Sequence, residues 1–168
     1  MPIPAYLTLS GASQGDMSSG ASGADSIGTM SKSSHEDEIQ VQAFKLNITV
    51  PKDPQSGQPT GTRIHTGLTF TKVLDKSSPM IMQALATGEQ IKKGTFKFYR
   101  TASSGEQEHY YTIEIEEGLV VDVTPWFPNA LDPNNGSISH MEDVTLTYKK
   151  ITETHEVAGT SGSDSWDN

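Results

Sequence analysis

The sequence contains no cysteine among its 168 residues. Disulfides, a thiol nucleophile and cysteine-held zinc or iron–sulfur sites are therefore excluded. No apolar run reaches about 18 residues, so no segment reads as a membrane-spanning helix. The start, MPIPAYLTLSG, lacks a basic stretch leading into an apolar one, the pattern of a Sec signal peptide. Export, if it occurs, is expected to take another route. Positive charge is also scarce: 12 Lys and Arg stand against 21 Asp and Glu, a formal net charge of -9. That balance argues against a nucleic-acid partner. The two tryptophans, Trp126 and Trp166, are too few and too separated for a carbohydrate-stacking platform.

The charge deficit is uneven. Residues 1–100 carry ten Lys and Arg and eight Asp and Glu, whereas residues 101–168 carry two and thirteen. A solvated acidic surface is the plain explanation. The sharper one is a body with unlike faces that suits head-to-tail stacking. The length fits one domain over residues 1–168.

What is present is mostly short alternation. Leu7 and Leu9 mark a first strand, and residues 10–34 form a Gly/Ser-rich loop, with a short strand expected near 26–30. Between Glu38 and Val50, Ile39, Val41 and Ala43 share one phase, and Phe44, Leu46, Ile48 and Val50 share the other. A phase switch inside one run predicts a β-bulge or sharp bend. Residues 51–66, PKDPQSGQPTGTRIHT, hold three prolines and two glycines. They predict a long protruding loop. Leu68 and Phe70 belong to the next strand.

One helix is signalled at about 79–87. Ser78 suits the N-cap, Pro79 the first helical position and Gly88 the stop, with Ile81, Ala84 and Leu85 as the buried stripe. Strands follow, with Phe96 and Phe98, then Tyr111, Ile113 and Ile115, then Leu119, Val121 and Val123 in phase. Glu117-Gly118 reads as a short turn. Val144, Leu146 and Tyr148 point inward from the last strong strand, and a polar C-terminal tail is expected over about 158–168. Seven or eight strands and one helix predict a mainly β chain, an antiparallel β-barrel of two packed sheets with one short α-helix.

Catalytic patterns are thin. Gly11-Ala12-Ser13-Gln14-Gly15 matches G-x-S-x-G, but that mechanism needs a helix directly after the serine, and DMSSGASG is a poor helix. The five histidines, His35, His65, His109, His140 and His155, form no metal-spaced pair. Asp132-Pro133-Asn134-Asn135-Gly136 is similar to a calcium loop, but its glycine falls one position early and Asp143 stands where a glutamate is needed. Glu114, Glu116 and Glu117 read as solvated carboxylates. No catalytic residue, cofactor or metal ligand is assigned.

Two motifs carry a family resemblance. One is His35-Glu36-Asp37-Glu38-Ile39, entering a long strand. The other is Phe70-Thr71-Lys72-Val73-Leu74-Asp75-Lys76-Ser77-Ser78-Pro79, where a strand ends and the helix begins. DPQSGQPTG at 53–61, EHYYT at 108–112, DPNN at 132–135 and GTSGSD at 159–164 add to the match. Taken together the chain resembles the Hcp family, the tube protein of bacterial type VI secretion, in its enterobacterial branch.

The resemblance implies a hexameric ring of barrels, stacked into a tube inside a contractile sheath, with small effectors in the ring lumen and no enzymatic activity. It implies as partners further copies of the chain, the sheath, baseplate and spike proteins, and lumen effectors. It implies assembly in the bacterial cytoplasm followed by secretion, outside the cell or into a target cell, without a signal peptide. Within the motifs, His35, Glu36, Asp37, Glu38, Asp75, Lys76, Ser77, Ser78 and Pro79 are read as structural. The long loop, with Asp53, Gln55, Gln58, Thr60 and Arg63, is the candidate inter-ring contact. Two other classes compete: a small hydrolase using Ser13, and a monomeric β-sandwich binding module for carbohydrate or a surface receptor.

Overall fold

The structure, a computed structural model, describes residues 3–165. Trp166 and the end of the expected tail lie outside the described residues. The strands are β1 (Ala5–Gly11), β2 (Gly15–Asp16), β3 (Ile39–Thr49), β4 (Ile64–Val73), β5 (Gln90–Thr101), β6 (Gln107–Trp126), β7 (Met141–Thr147), β8 (Lys150–His155) and β9 (Thr160–Ser165). The helices are α1 (Ala24–Ile27), a single turn, and α2 (Ser78–Thr87).

All strand pairs are antiparallel. β1 pairs with β3, β3 with β4, β4 with β7, β7 with β6, β6 with β5, and β5 returns to β1. Six strands thus close a barrel. β8 and β9 extend outward from the first half of β6. The expected barrel is present, and its two layers are one sheet made continuous through β6.

Alternation fills the interior. Leu7, Leu9, Ile39, Val41, Leu68, Phe70, Ile91, Phe96, Ile113, Ile115, Val144 and Leu146 are all buried in one core. The phase switch predicted in β3 is real: its register against β4 shifts between Val41 and Ala43 and again between Leu46 and Ile48. The extra residues turn Phe44 and Leu46 toward the core after Ile39 and Val41 have already faced it.

Several expectations need correction. Glu117-Gly118 is not a turn between two strands but a bend inside the 20-residue β6. Glu117 takes a positive φ of 53°. Gly118 lies so close to β7 that a Cβ there would meet the Thr147 carbonyl oxygen at 2.4 Å. The bend flips the phase, so Val120 is buried at 7% exposure whereas Val121 is 51% exposed. Leu119 is exposed too, and Val123 rejoins the core after a register shift between Val120 and Asp122.

The strand expected near 26–30 is instead α1 followed by a 3₁₀ turn at Gly28–Met30. The segment is pinned by buried Met17, Ser18, Ala21 and Ser22. Part of the expected polar tail is β9, paired with β8 along its whole length.

The helix starts one residue early, with Ser77 at the N-cap position. It stops at Gly88, whose left-handed φ of 69° lets its N–H reach the Ala84 and Leu85 carbonyls. Ile81 and Ala84 are buried and Met80 packs beside them, but Leu85 lies exposed.

Candidate assembly surfaces

The long loop between β3 and β4 is a stiff hairpin. Lys52 and Pro59 form a β-bridge. The Asp53 N–H donates to the Gln58 carbonyl at 2.9 Å, the Gly57 N–H to the Asp53 carbonyl at 2.8 Å, and the Thr60 N–H to the Pro51 carbonyl at 2.8 Å. The Asp53 carboxylate accepts from the Gln55 N–H at 2.9 Å and the Ser56 hydroxyl at 3.1 Å. Those bonds, the Gln55 N–H first, hold its carboxyl below the ordinary value. Asp53 is thus spent on its own turn, while Gln55, Gln58 and Thr60 stand exposed.

Arg63 does not project with them. Its guanidinium grips Asp164 of β9 with two bonds, Nε to Oδ2 at 2.7 Å and an Nη to Oδ1 at 3.0 Å, and also donates to the Ser165 carbonyl at 3.2 Å. Asp164 Oδ2 is also 2.7 Å from His65 Nε2, and His65 Nδ1 is 2.7 Å from the Tyr148 hydroxyl. His65 and Tyr148 are buried. Burial first, then Glu153 and Asp164, push the Tyr148 hydroxyl up to about 12. The hydrogen bonds from Arg63 and then His65 hold the Asp164 carboxyl down to about 2. The stem of the long loop is therefore tied to the last strand, across 101 residues of sequence.

Residues of both motifs make contacts within the chain. His35 stacks on Tyr6 at 3.8 Å between ring centres, edges against Tyr99, and sits 2.9 Å from Glu38 Oε1. Asp37 Oδ1 accepts the Gly20 N–H at 2.9 Å, and the Glu36 carbonyl accepts the Ser22 N–H. Together they staple the Gly/Ser-rich segment to the barrel.

In the second motif the side chain that sequence reading passed over is Lys72. It is wholly buried, with Nζ 3.1 Å from Asp75 Oδ1, 2.8 Å from Glu142 Oε2 and 2.6 Å from the Ser78 hydroxyl. The Ser78 hydroxyl also accepts the Asp75 N–H at 3.1 Å, so it serves the knot rather than capping the helix. Asp75 Oδ1 accepts the Ser77 N–H at 2.9 Å and the Ser77 hydroxyl. The Lys76 N–H donates to Ser26 Oγ at 2.7 Å, and Pro79 opens the helix.

The chemistries weighed from sequence find little support. No helix follows Ser13; the Ser13 and Gln14 N–H groups instead donate to Glu89 at 3.1 and 2.9 Å. Asp132 Oδ1 accepts the Asn134 N–H at 2.9 Å, an Asx turn rather than a metal ligand. Among the described residues no group of three or more His, Asp or Glu is placed to hold a metal ion. Lys93–Glu114, Lys150–Glu116 and Lys149–Glu117 approach at 3.4, 3.8 and 4.0 Å on the surface. No helix among the described residues is long and apolar enough to cross a membrane.

Two surfaces remain. Among the described residues the sheet has open edges: β9 pairs only with β8, and β1 pairs with β3 only at residues 39–41, with no described strand beside residues 42–49 on that side. The barrel also has unlike ends. The long loop leaves from the start of β4. At the other end of β4 the β6–β7 connection exposes Phe127, Leu131 and Ile138 beside Leu74 and Trp126.

A closed barrel with a stiff projecting hairpin, open edges and unlike ends is a protein built around its surfaces. Residues 6–155 match the family described as "Type VI secretion system effector, Hcp". The chain belongs to this Hcp family of type VI secretion proteins, which is not an enzyme family. It is 48% identical over 166 residues to the "Major exported protein" of Pseudomonas aeruginosa, covering 99% of this chain and 96% of that one. A crystal structure of an Hcp protein superposes with a TM-score of 0.94 at 41% identity, covering 98% of each chain. The secreted protein Hcp3 from Pseudomonas aeruginosa gives a TM-score of 0.84 at 39% identity, over 98% of this chain and 99% of that one.

Proposed function

We propose that this chain is the ring-forming subunit of the inner tube of a type VI secretion apparatus. Six copies close a ring, rings stack, sheath contraction ejects the tube, and small effectors travel in the lumen. The observation that carries the reading is the pair of uncovered sheet edges, β9 at one side and residues 42–49 of β3 at the other. Exposed edges invite pairing with another chain, and a closed ring of identical copies covers both at once. The stiff hairpin around Gln55, Gln58 and Thr60 is the contact between rings. Sheath, baseplate and spike proteins are the further partners, and the chain passes from the cytoplasm to the outside or into a target cell. The export named for the Pseudomonas relative supports that route.

Size-exclusion chromatography with light scattering tests the ring. Six copies of 18.1 kDa make about 109 kDa. A peak there with ring-shaped particles is expected. A single species near the mass of one chain at every concentration overturns the reading and leaves a monomeric binding module in its place.

A further inference from the structure

The connection between β6 and β7, residues 127–140, lies outside every described strand. A few local bonds hold its tip. The Asp132 carboxylate accepts the Asn134 N–H at 2.9 Å, and the Asn135 N–H donates to the Asp132 carbonyl at 3.1 Å. The Asn135 side-chain amide donates to the Asn129 carbonyl at 3.0 Å. The Gly136 N–H donates to the Pro133 carbonyl at 3.4 Å, the longest of the set. A turn held this way can open on its own, without breaking the ladders of the barrel.

Of the five asparagines in the chain, only Asn135 is followed by glycine. The backbone does not demand that glycine. Its φ of -63° and ψ of -20° suit any residue. A Cβ on it would meet only the Pro133 carbonyl oxygen, at an ordinary 3.5 Å. What the glycine changes is access. It is exposed, and it carries no side chain beside its own nitrogen.

We propose that Asn135 is a self-modification site, where asparagine converts to isoaspartate and aspartate through a ring closed with Gly136. Asparagine is a thermolabile side chain, and the reaction consumes only water. When the turn opens, the Gly136 nitrogen gives its proton to water or hydroxide and attacks Asn135 Cγ. A bond forms between that nitrogen and Cγ, the Cγ–Nδ2 bond breaks, and Nδ2 leaves as ammonia. Water then opens the five-membered imide at one of its two carbonyls. Opening at Cγ restores the chain with aspartate. Opening at the main-chain carbonyl leaves the chain running through Cγ, as isoaspartate. One water enters, one ammonia leaves, and nothing is oxidised or reduced.

The product loses the amide that donates to Asn129 and gains a carboxylate. Residues 101–148 contain no Lys or Arg to neutralise it, and Asp132 stands three positions away. The modified turn should release its tip, which carries Leu131 at 91% exposure. The barrel end between Phe127 and Ile138 then passes from apolar to charged. The proposal holds for a single chain and does not depend on the ring.

The test holds the full natural chain in warm, mildly alkaline buffer and follows it by peptide mass spectrometry. An isoaspartyl carboxyl methyltransferase with a labelled methyl donor reads isoaspartate independently. Asn135 is expected to convert at least about tenfold faster than Asn47 or Asn129, with a more acidic band growing in step. Gly136→Ala, which the turn accommodates, should keep the melting temperature and slow conversion about tenfold or more. Asn135→Gln is the second arm. It keeps an amide but needs a larger ring, and should give no isoaspartate in the turn.

Conversion of Asn135 no faster than that of Asn47 overturns the proposal, and so does conversion centred on Asn134. An unchanged rate in Gly136→Ala at an unchanged melting temperature overturns it as well. If Gly136→Ala melts lower than the natural chain, Asn135→Gln decides. Isoaspartate that persists there overturns the assignment, and its loss supports it.

Discussion

Two ionic clusters organise this barrel, one at each end of β4, and water reaches them unequally. At the α2 end, Lys72, Asp75 and Glu142 are all but sealed from solvent. At the loop end, Arg63 and Asp164 are each about a third exposed, and only His65 and Tyr148 behind them are buried. The chemistry is similar, but the consequences differ. A sealed charge that loses its partner has nowhere to go, whereas a rim charge can hydrate. The inner knot should therefore act on the whole fold, and the outer clamp on where the loop points.

The largest effect is expected from removing the centre of the inner knot. Lys72→Met leaves Asp75 and Glu142 facing each other without a cation. It should destabilise the chain by about 3–5 kcal/mol, the usual cost of stranding buried charge. Urea denaturation measures this directly. A loss under about 1 kcal/mol would mean that the knot is hydrated like the clamp, and the contrast between them would collapse.

Next comes a sharpening of the same point. Lys72→Met combined with Glu142→Leu removes the cation and one anion together. Asp75 keeps the Ser77 N–H and hydroxyl. Replacing buried ions by well-packed apolar groups is often neutral or better. The double variant should recover at least half of the stability that the single one loses. Failure to recover any would place the energy in packing around Lys72 rather than in its charge.

How much of this was legible beforehand follows from the range of each interaction. The bulge in β3, the helix with its Pro79 start and Gly88 stop, and the long proline-bearing loop were readable, because local periodicity and turn residues carry them. Lys72 was not. A lysine in a strand reads as solvent-facing, and of the groups that make its burial tolerable Asp75 and Ser78 are near in sequence but Glu142 lies 70 positions on. β9 was missed because Thr160–Ser165 is uniformly small and polar, with no apolar phase to betray a strand. Val120 and Val121 exchanged faces because one positive-φ residue, Glu117, bends β6 instead of ending it. Arg63 was placed on the correct loop, but its partner Asp164 lies too far along the chain for spacing to suggest it.

A third, smaller effect probes the buried side of the clamp. Tyr148→Phe takes away the hydroxyl that sits 2.7 Å from His65 Nδ1. A buried hydrogen bond of this kind contributes about 1–2 kcal/mol. Thermal unfolding should drop accordingly, and hydrogen exchange in residues 51–63 should rise with it. Faster exchange confined to β7 would uncouple Tyr148 from the loop.

The smallest effect on stability should come from the rim, and pH reveals it best. Asp164 titrates near 2 in the fold against an ordinary value of 3.8. A depressed acid stabilises the fold fully above its unfolded value, and that contribution is lost as pH falls through its folded value. The clamp should therefore weaken between about pH 4 and pH 2 and hold above that. Asp164→Asn lacks this titration. Its melting temperature should lie slightly below that of the natural chain at pH 6, and the two curves should converge toward pH 2. Exchange in residues 51–63 should rise in Asp164→Asn at neutral pH even where the melting temperature hardly moves. Parallel curves from pH 6 to pH 2, with an unchanged loop, would show that Arg63 and His65 hold the hairpin without the carboxylate, and the difference between knot and clamp would then rest on burial of the loop stem alone.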